Sequence, residues 1–559
     1  MTDTTIPLKL TLASPADQMF PSLTPAQITR AAVHGRVRPI QRGEVLIESG
    51  DQIVPFFIVT AGQIEIVQPS GTGQTLITVH GPGGFTGEIN MMTGRRSIVR
   101  ARVIESGEVV QLERERILAL VQTDAELGEI LMRAFIFRRV ELIAHGLGDA
   151  VLIGSSHCAG TLRIKEFLTR NSHPYSFIDL DREVDIQSML DQFHVSDGDI
   201  PVLIGRGEVV LRNPTDQQIA DCLGFNEAID QTEVHDLIIV GAGPSGLAAA
   251  VYGASEGLDV LVLESHAPGG QAGSSSKIEN YLGFPMGVSG HELAARAYTQ
   301  AQKFGAHLLV AKSATGLACD RKPYAIDIGT GTQVLGRTVI IATGAAYRKP
   351  AIENRAGFEG AGVYYGATFM EAQLCVNEEV IVVGGGNSAG QAAVFLAQTV
   401  KRVHLLVRSG GLAKSMSRYL IRRIEENPLI ELRTHTELAA FEGNHHLERV
   451  SWRNNLSRSV ENRDIRHVFF MAGADPSTGW LDGRVVLDPK GFIKTGSAIS
   501  RDELISAHWP LGRVPYLLET SLPGIFAVGD VRSGSIKRVA SAVGEGSIAI
   551  AFVHQAMSQ

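Results

Sequence analysis

From about Pro21 to His80 apolar and polar residues alternate in short runs, EVLIE, PFFIVT, QIEIVQ and TLITVH, punctuated by Gly50, Gly62, Gly71 and Gly73. Period-two alternation broken by regular turns predicts a small antiparallel β-barrel or roll. From about Glu113 to His145 the period becomes helical, with Ile117, Leu118, Leu120, Val121, Ile130 and Leu131 on the apolar stripe, and this helical stretch closes a first domain over 1–147. The order then reads strand AVLIG, helix TLRIKEFLTRN, strand YSFIDL, helix DIQSMLDQF, strand PVLIG, strand EVV and a last helix, a small α/β domain over 148–225 with a polar linker at 226–235. From Asp236 an apolar strand, LIIVGAG, opens a helix and a second strand, DVLVLE; the same plan recurs as EVIVVGGG, NSAGQAAVFLAQ and RVHLLV. The repeat predicts two tandem Rossmann-like dinucleotide folds, so the fold class is multidomain α+β and α/β.

Length agrees with this division: 559 residues at roughly 150 per domain suggest three or four domains. With 44% hydrophobic and 20% charged residues, and no apolar run near the roughly 18 residues of a membrane span, a soluble protein is expected. The opening residues carry no secretory signal pattern, so the cytoplasm is the expected compartment. A net charge of −8 argues against nucleic acid or membrane as partner. The four cysteines, Cys158, Cys222, Cys319 and Cys375, form no CxxC pair and no disulfide framework, and no metal site is expected. The 60 glycines cluster in loops between apolar runs, where backbone turns sharply or approaches phosphate.

Gly241, Gly243, Pro244, Ser245 and Gly246 follow a strand and open a helix, the arrangement in which backbone N–H groups and a helix N-terminus cradle a pyrophosphate. Glu264, at the end of the next strand, is placed to accept from ribose hydroxyls. The second fingerprint, Gly384, Gly385, Gly386, Asn387, Ser388 and Ala389, is followed by a strand that ends in Arg408 with no acid. A guanidinium there suits the 2′-phosphate of NADPH, with Lys414 and Arg418 as further cations. A solvated arginine after a strand is the plain alternative.

GAGPSGLAAA, GGQAG, KIENYLGFP, the ATG at 342–344, GGGNSA, AVGDV and KRVASAVGEGSIA resemble, in order, the motifs of low-molecular-weight thioredoxin reductases over about 234–559. The resemblance implies an FAD domain, 236–349 plus 470–559, split by an NADPH domain at 350–469. It further implies that Gly270, Gln271 and Asn280 line the isoalloxazine. Ala342, Thr343, Gly344 and Gly529 belong to the FAD site as well, Asp530 bonds the ribityl chain, and Arg538, Val539 and Ala540 form the helix N-terminus beside the ring. Hydride arriving at flavin N5 leaves negative charge near N1 and the C2 carbonyl, which such a helix end stabilises.

One motif departs from that family. Where the resemblance places a CxxC, this chain reads Gly366-Ala367-Thr368-Phe369, so the relay to a thioredoxin disulfide has no first step. Phe369, covering the flavin face, and Cys375, the nearest thiol, are lesser catalytic candidates, although a buried small Cys375 reads first as packing. The middle domain resembles a thioredoxin or glutaredoxin fold with Pro201 at the usual cis position and one cysteine, Cys158, at the first helix; a degenerate structural module and a working monothiol are both open. Residues 20–145 resemble a cyclic-nucleotide-binding roll, which implies Gly87, Glu88, Arg96 and Ser97 as ligand residues, although Glu88 and Arg96 stand closer together than is usual. No helix-turn-helix follows the roll.

The expectation is therefore an FAD- and NADPH-dependent oxidoreductase, a homodimer by prior, passing electrons to an unidentified acceptor under possible cyclic-nucleotide control. The rivals are a disulfide reductase that uses Cys158, with Cys222 or a partner thiol, and a flavin and nucleotide sensor in which turnover is incidental.

Overall fold

The computed structural model describes residues 19–52, 54–70, 73–87, 95–144, 148–156, 158–181, 199–205, 209–329, 331–444, 446–471 and 473–559. The N-terminal unit is the expected β-roll. Its antiparallel order is Arg36–Ile40, Arg100–Leu112, Phe56–Ser70, Gly73–His80, and Val45–Ile47 pairs with Arg100–Leu112. The runs PFFIVT and QIEIVQ form one strand rather than two. Gly62, at φ 83°, does not end the pairing but sits among register shifts against Arg100–Leu112, which absorb the bend within one ladder. The expected single helical stretch is two helices, Arg114–Thr123 and Ala125–Ala144. Asp124 breaks it: its backbone is extended at φ −108°, and its Oδ1 accepts from the Leu127 N–H at 3.0 Å, capping the second helix.

The middle unit is a four-stranded sheet in the order Tyr175–Asp179, Ala150–Gly154, Val202–Gly205, Val209–Arg212; the first pair is parallel and the others antiparallel. The Ile200–Pro201 bond is cis. Helices Ala159–Arg170 and Asp216–Leu223 pack on this sheet through Ile164, Phe167, Ile219 and Leu223. The helix expected at DIQSMLDQF lies outside the described residues.

Two nucleotide-type sheets follow. In the first, His307–Val310, Val260–Glu264, Val234–Val240 and Gln333–Ile341 run parallel, and their apolar stretches, such as Leu237–Val240, Val260–Leu263 and Val339–Ile341, are buried as a sheet covered on both faces requires. Ile525–Ala527 returns to pair in parallel with Val339–Ile341, so the C-terminal segment completes the sheet that the earlier segment began. The inserted sheet orders Val363–Tyr364, His467–Phe470, Glu379–Val383, Arg402–Val407 and Ile430–Thr434, all parallel. The antiparallel pair Ala345–Tyr347 and Ala474–Pro476 carries the chain out to the insert and back. Among the described residues no helix is long and apolar enough to cross a membrane.

The middle unit is docked on the first nucleotide sheet. Its core cluster extends to Val310 and Ala311, the Asn226 side chain exchanges two hydrogen bonds with the Val310 backbone, and the Asp216 carboxylate meets His266 Nδ1 at 2.6 Å. At the first fingerprint the helix and strand approach so closely that a Cβ on Gly246 would strike the Gly241 carbonyl oxygen. Gly246→Ala is therefore expected to destabilise the protein by roughly 1–3 kcal/mol through overpacking, read as a lowered urea midpoint. An unchanged midpoint would show that this close approach is not constraining.

Candidate functional site

Each glycine fingerprint places a helix N-terminus at the end of a parallel strand. Gly243 caps Pro244–Ser255 and Gly386 caps Asn387–Leu396, and neither helix has a side chain bonded to its first amides. Those N–H groups are thus left for a ligand, with the helix dipole favouring an anion. Both ends open on one cleft of about 1350 Å³, lined by Gly241, Gly243, Pro244 and Ser245 from the first fingerprint and Gly386, Asn387 and Ser388 from the second. Gly246, Gly384 and Ala389 stand behind this lining and set the packing. Glu264 lines the cleft, and its buried carboxylate accepts from the backbone N–H of Ala242 at 2.8 Å and of His266 at 2.9 Å, tying the fingerprint to the adjacent strand.

The other expected flavin residues converge on the same space. Gly270, Gln271, Asn280, Ala342, Thr343, Gly344, Asp530, Arg538 and Val539 line it. Gln271 Nε2 donates to the Ala345 carbonyl, and Thr343 Oγ1 donates to the Ser477 carbonyl at 2.9 Å. Burial raises the Asp530 carboxyl above the usual carboxylate range, against the pull of Lys537, and the side chain is half-buried at the cleft wall. Gly529 supports it from behind, its N–H donating to Glu545 Oε2 at 2.7 Å, while Ala540 is exposed and off the lining. Arg408 and Lys414 are exposed on a loop held over the second fingerprint by Ser415 Oγ to the Gly385 carbonyl, 2.8 Å, and by the Ser417 N–H to Asn387 Oδ1, 2.8 Å. Neither cation lines the cleft itself.

In the stretch expected to hold a dithiol, Gly366 and Thr368 line the cleft and Ala367 is buried. The side chain of Phe369 lies outside the described residues. Cys375 is fully buried in the core of the inserted domain, its Sγ donating to the Glu371 carbonyl at 3.3 Å, and burial pushes its thiol up to about 12; it is a packing residue. Sequence reasoning missed Glu371, which lines the cleft and accepts from the Thr368 N–H at 2.9 Å; burial raises its carboxyl. It also missed Ala159, Leu162, Arg163, Glu166 and Arg170, which bring a helix of the middle domain into the same wall. Cys158 is the N-cap of that helix, half-buried, and is not among the lining residues.

The β-roll holds a separate cavity of about 80 Å³ lined by Gly87, Ser97, Arg95, Arg138 and mostly apolar side chains. Glu88 lies outside the described residues. Arg96 does not line this cavity; its side chain packs on Gly224 of the middle domain, where a Cβ would stand 2.7 Å from Arg96 Nε. Of the two adjacent arginines, Arg95 is the one that lines it. Burial, aided by Arg138, pushes His80 in the same wall down to about 3, so it is neutral.

Residues 235–546, more than half of the chain, match the family model described as pyridine nucleotide-disulphide oxidoreductase. The chain belongs to that family. Residues 37–124 match the cyclic nucleotide-binding domain model. Among curated relatives, the thioredoxin reductase of Treponema pallidum is 34% identical over 315 residues, covering 56% of this chain and 94% of that protein. The thioredoxin reductase of Ureaplasma parvum is 31% identical over 324 residues, covering 58% and 97%. Among solved structures, the Lactococcus lactis thioredoxin reductase in its FR conformation matches with a TM-score of 0.52 and 26% identity, covering 58% of this chain and 99% of that one.

Members of this oxidoreductase family are FAD- and NAD(P)H-dependent flavoproteins, and the residues here fit both groups. Two uncapped helix N-termini suit two pyrophosphates, Glu264 suits a ribose, and the half-buried Asp530 carboxylate suits a hydroxyl donor. If Arg408, on the loop over the second fingerprint, reaches the 2′-phosphate of NADPH, replacing it with alanine weakens NADPH roughly tenfold or more and leaves NADH nearly unchanged. Equal losses in KM for the two nucleotides would remove Arg408 from the site.

Proposed function

We infer that this chain is an NADPH-dependent flavoprotein reductase in which the acceptor meets the flavin directly, without an internal dithiol, under control of a cyclic nucleotide bound in the β-roll. The observation that carries this reading is the single cleft shared by both fingerprints, Asp530 and the start of helix Val539–Met557, with no cysteine among its lining residues. FAD, when bound, supplies a two-electron carrier between nicotinamide and acceptor. The chain's own groups do the rest. The first amides of Val539–Met557, which no side chain caps, stabilise negative charge where the ring end lies. Glu371, kept protonated further up the pH scale by burial, offers the cleft a proton donor, positioned by Thr368. Helix Ala159–Arg170 takes up one part of the cleft wall, which favours a small acceptor over a folded protein. A cytoplasmic homodimer completes the reading, and the net charge of −8 argues against a nucleic-acid or membrane partner.

A second reading, an internal disulfide relay through Cys158, has one observation in its favour: Ala159, next in the chain, lines the cleft, and cis-Pro201 packs against Gly160. Alkylation separates the two. Carboxymethylating all accessible thiols of the FAD-loaded protein should leave NADPH-driven reduction of a small acceptor such as a quinone within about twofold of its starting rate, since no cysteine takes part. A loss above tenfold, reproduced by Cys158→Ser without alkylation, would establish the relay instead.

A further inference from the structure

The β-roll cavity, at about 80 Å³, is small beside the roughly 300–1,000 Å³ of typical ligand pockets. A ligand of nucleotide size must therefore move part of its wall. Two cationic side chains line it. Arg138 is held in the roll, its Nε donating to the Met19 carbonyl at 3.0 Å and its Nη1 to the carbonyls of Phe85 and Gly87 at 3.1 and 2.6 Å. Arg95 is held by the other domains. Its Nη1 donates to the Asn171 carbonyl of the middle domain at 2.9 Å, its Nη2 to the Tyr298 hydroxyl of the flavin-side domain at 3.3 Å, and its guanidinium lies 4.4 Å from the centre of the Phe225 ring.

Asn171 follows the last residue of the helix that lines the flavin cleft. Its Nδ2 donates to the His266 carbonyl at 3.3 Å, and the preceding Arg170 donates through Nη2 to the Gly270 carbonyl at 2.7 Å. Gly270 and Gln271 are themselves cleft residues. One short chain of contacts thus joins the β-roll cavity to the wall of the flavin site: Arg95, the Asn171 backbone, Arg170, then Gly270.

We propose that Arg95, not Arg96, is the anion contact of the β-roll cavity, and that a cyclic nucleoside monophosphate bound there loosens segment 266–271 by drawing Arg95 from Asn171 and Tyr298. This rests on the regulatory reading above and adds its route. The direction follows from charge. A guanidinium gains more from a phosphate than from a neutral carbonyl and a phenol, because hydrogen bonds between two charged groups are shorter and stronger. A ligand can shift the junction only by binding the two arrangements unequally, and Arg95 supplies that inequality because the cavity and the junction compete for the same N–H groups.

The test uses the full-length, FAD-loaded protein. Cyclic AMP, cyclic GMP and inorganic phosphate are titrated calorimetrically, and hydrogen–deuterium exchange is followed over residues 266–274, in wild type, Arg95→Gln, Arg96→Gln and Tyr298→Phe. One cyclic nucleotide should bind wild type and speed exchange over 266–274 at least threefold. Arg95→Gln should weaken that nucleotide at least tenfold and exchange this segment fast without it. Arg96→Gln should keep the affinity within threefold, and Tyr298→Phe, a mild change outside the cavity, should bind as tightly as wild type or tighter. Phosphate alone producing part of the shift would identify the anion as the element that draws Arg95. Nucleotide binding with unchanged exchange over 266–274 overturns the coupling while leaving the regulatory site standing, and full affinity in Arg95→Gln overturns the contact. If neither nucleotide binds wild type, the regulatory reading itself fails, and slow exchange in Arg95→Gln then removes the tie as well.

Discussion

The structure depends on one short piece of parallel pairing, Ile525–Ala527 against Val339–Ile341. Together with the Ala345–Tyr347 and Ala474–Pro476 pair, it joins the two halves of the flavin domain, which the inserted domain separates in sequence. With it, Gly529, Asp530 and the start of helix Val539–Met557 arrive beside the first fingerprint, and a Cβ on Gly529 would stand 2.5 Å from Ser245 Oγ. Three residues of ladder are little by themselves. Burial supplies the rest: Ile525, Phe526 and Ala527 are fully buried, and Phe526 shares a core with Ile340, Leu247 and Ile550.

The docked middle domain changes what this scaffold can do. Its helix Ala159–Arg170 presents Leu162 to the core of the inserted domain, and its Ala159 lies against Gly360, where an added Cβ would stand 2.6 Å from the alanine Cβ. It therefore touches both nucleotide-type domains at once. In the proposed reading that position favours a small acceptor in place of an internal relay, and it makes the cleft answerable to the β-roll through the same helix. Beside the stretch 366–369, where the resemblance places a dithiol, Glu371 gives the cleft an acid hydrogen-bonded to the Thr368 N–H.

The glycine fingerprints and the acids Glu264 and Asp530 were legible in the sequence because each sits in a local motif, a strand, glycine turn and helix start within a few residues, whereas the return of Ile525–Ala527 to Val339–Ile341 is long-range. Gly241, Glu264, Gln271, Asn280 and Asp530 all reach one cleft as their motifs implied. What was not legible is long-range or turns on a single position. The break at Asp124 depends on one cap bond in an otherwise helical run. The strand Phe56–Ser70 continues through Gly62 because its neighbour accommodates the bulge, which periodicity does not show. Arg95 and Arg96 are adjacent and chemically identical, and only packing against Gly224 decides which of them leaves the cavity. The seat of helix Ala159–Arg170 on the cleft had no sequence signal beyond its amphipathic pattern.

The central claim, that electrons enter at a flavin in this cleft and leave without a cysteine pair, is tested most directly by counting them. In an anaerobic titration of the FAD-loaded protein, one equivalent of NADPH per flavin should bleach the flavin absorbance and uptake should then stop, giving two electrons per subunit. Uptake of a second equivalent would reveal a cycling disulfide, and absence of bleaching would show that the bound nucleotides do not exchange electrons; either result contradicts the account.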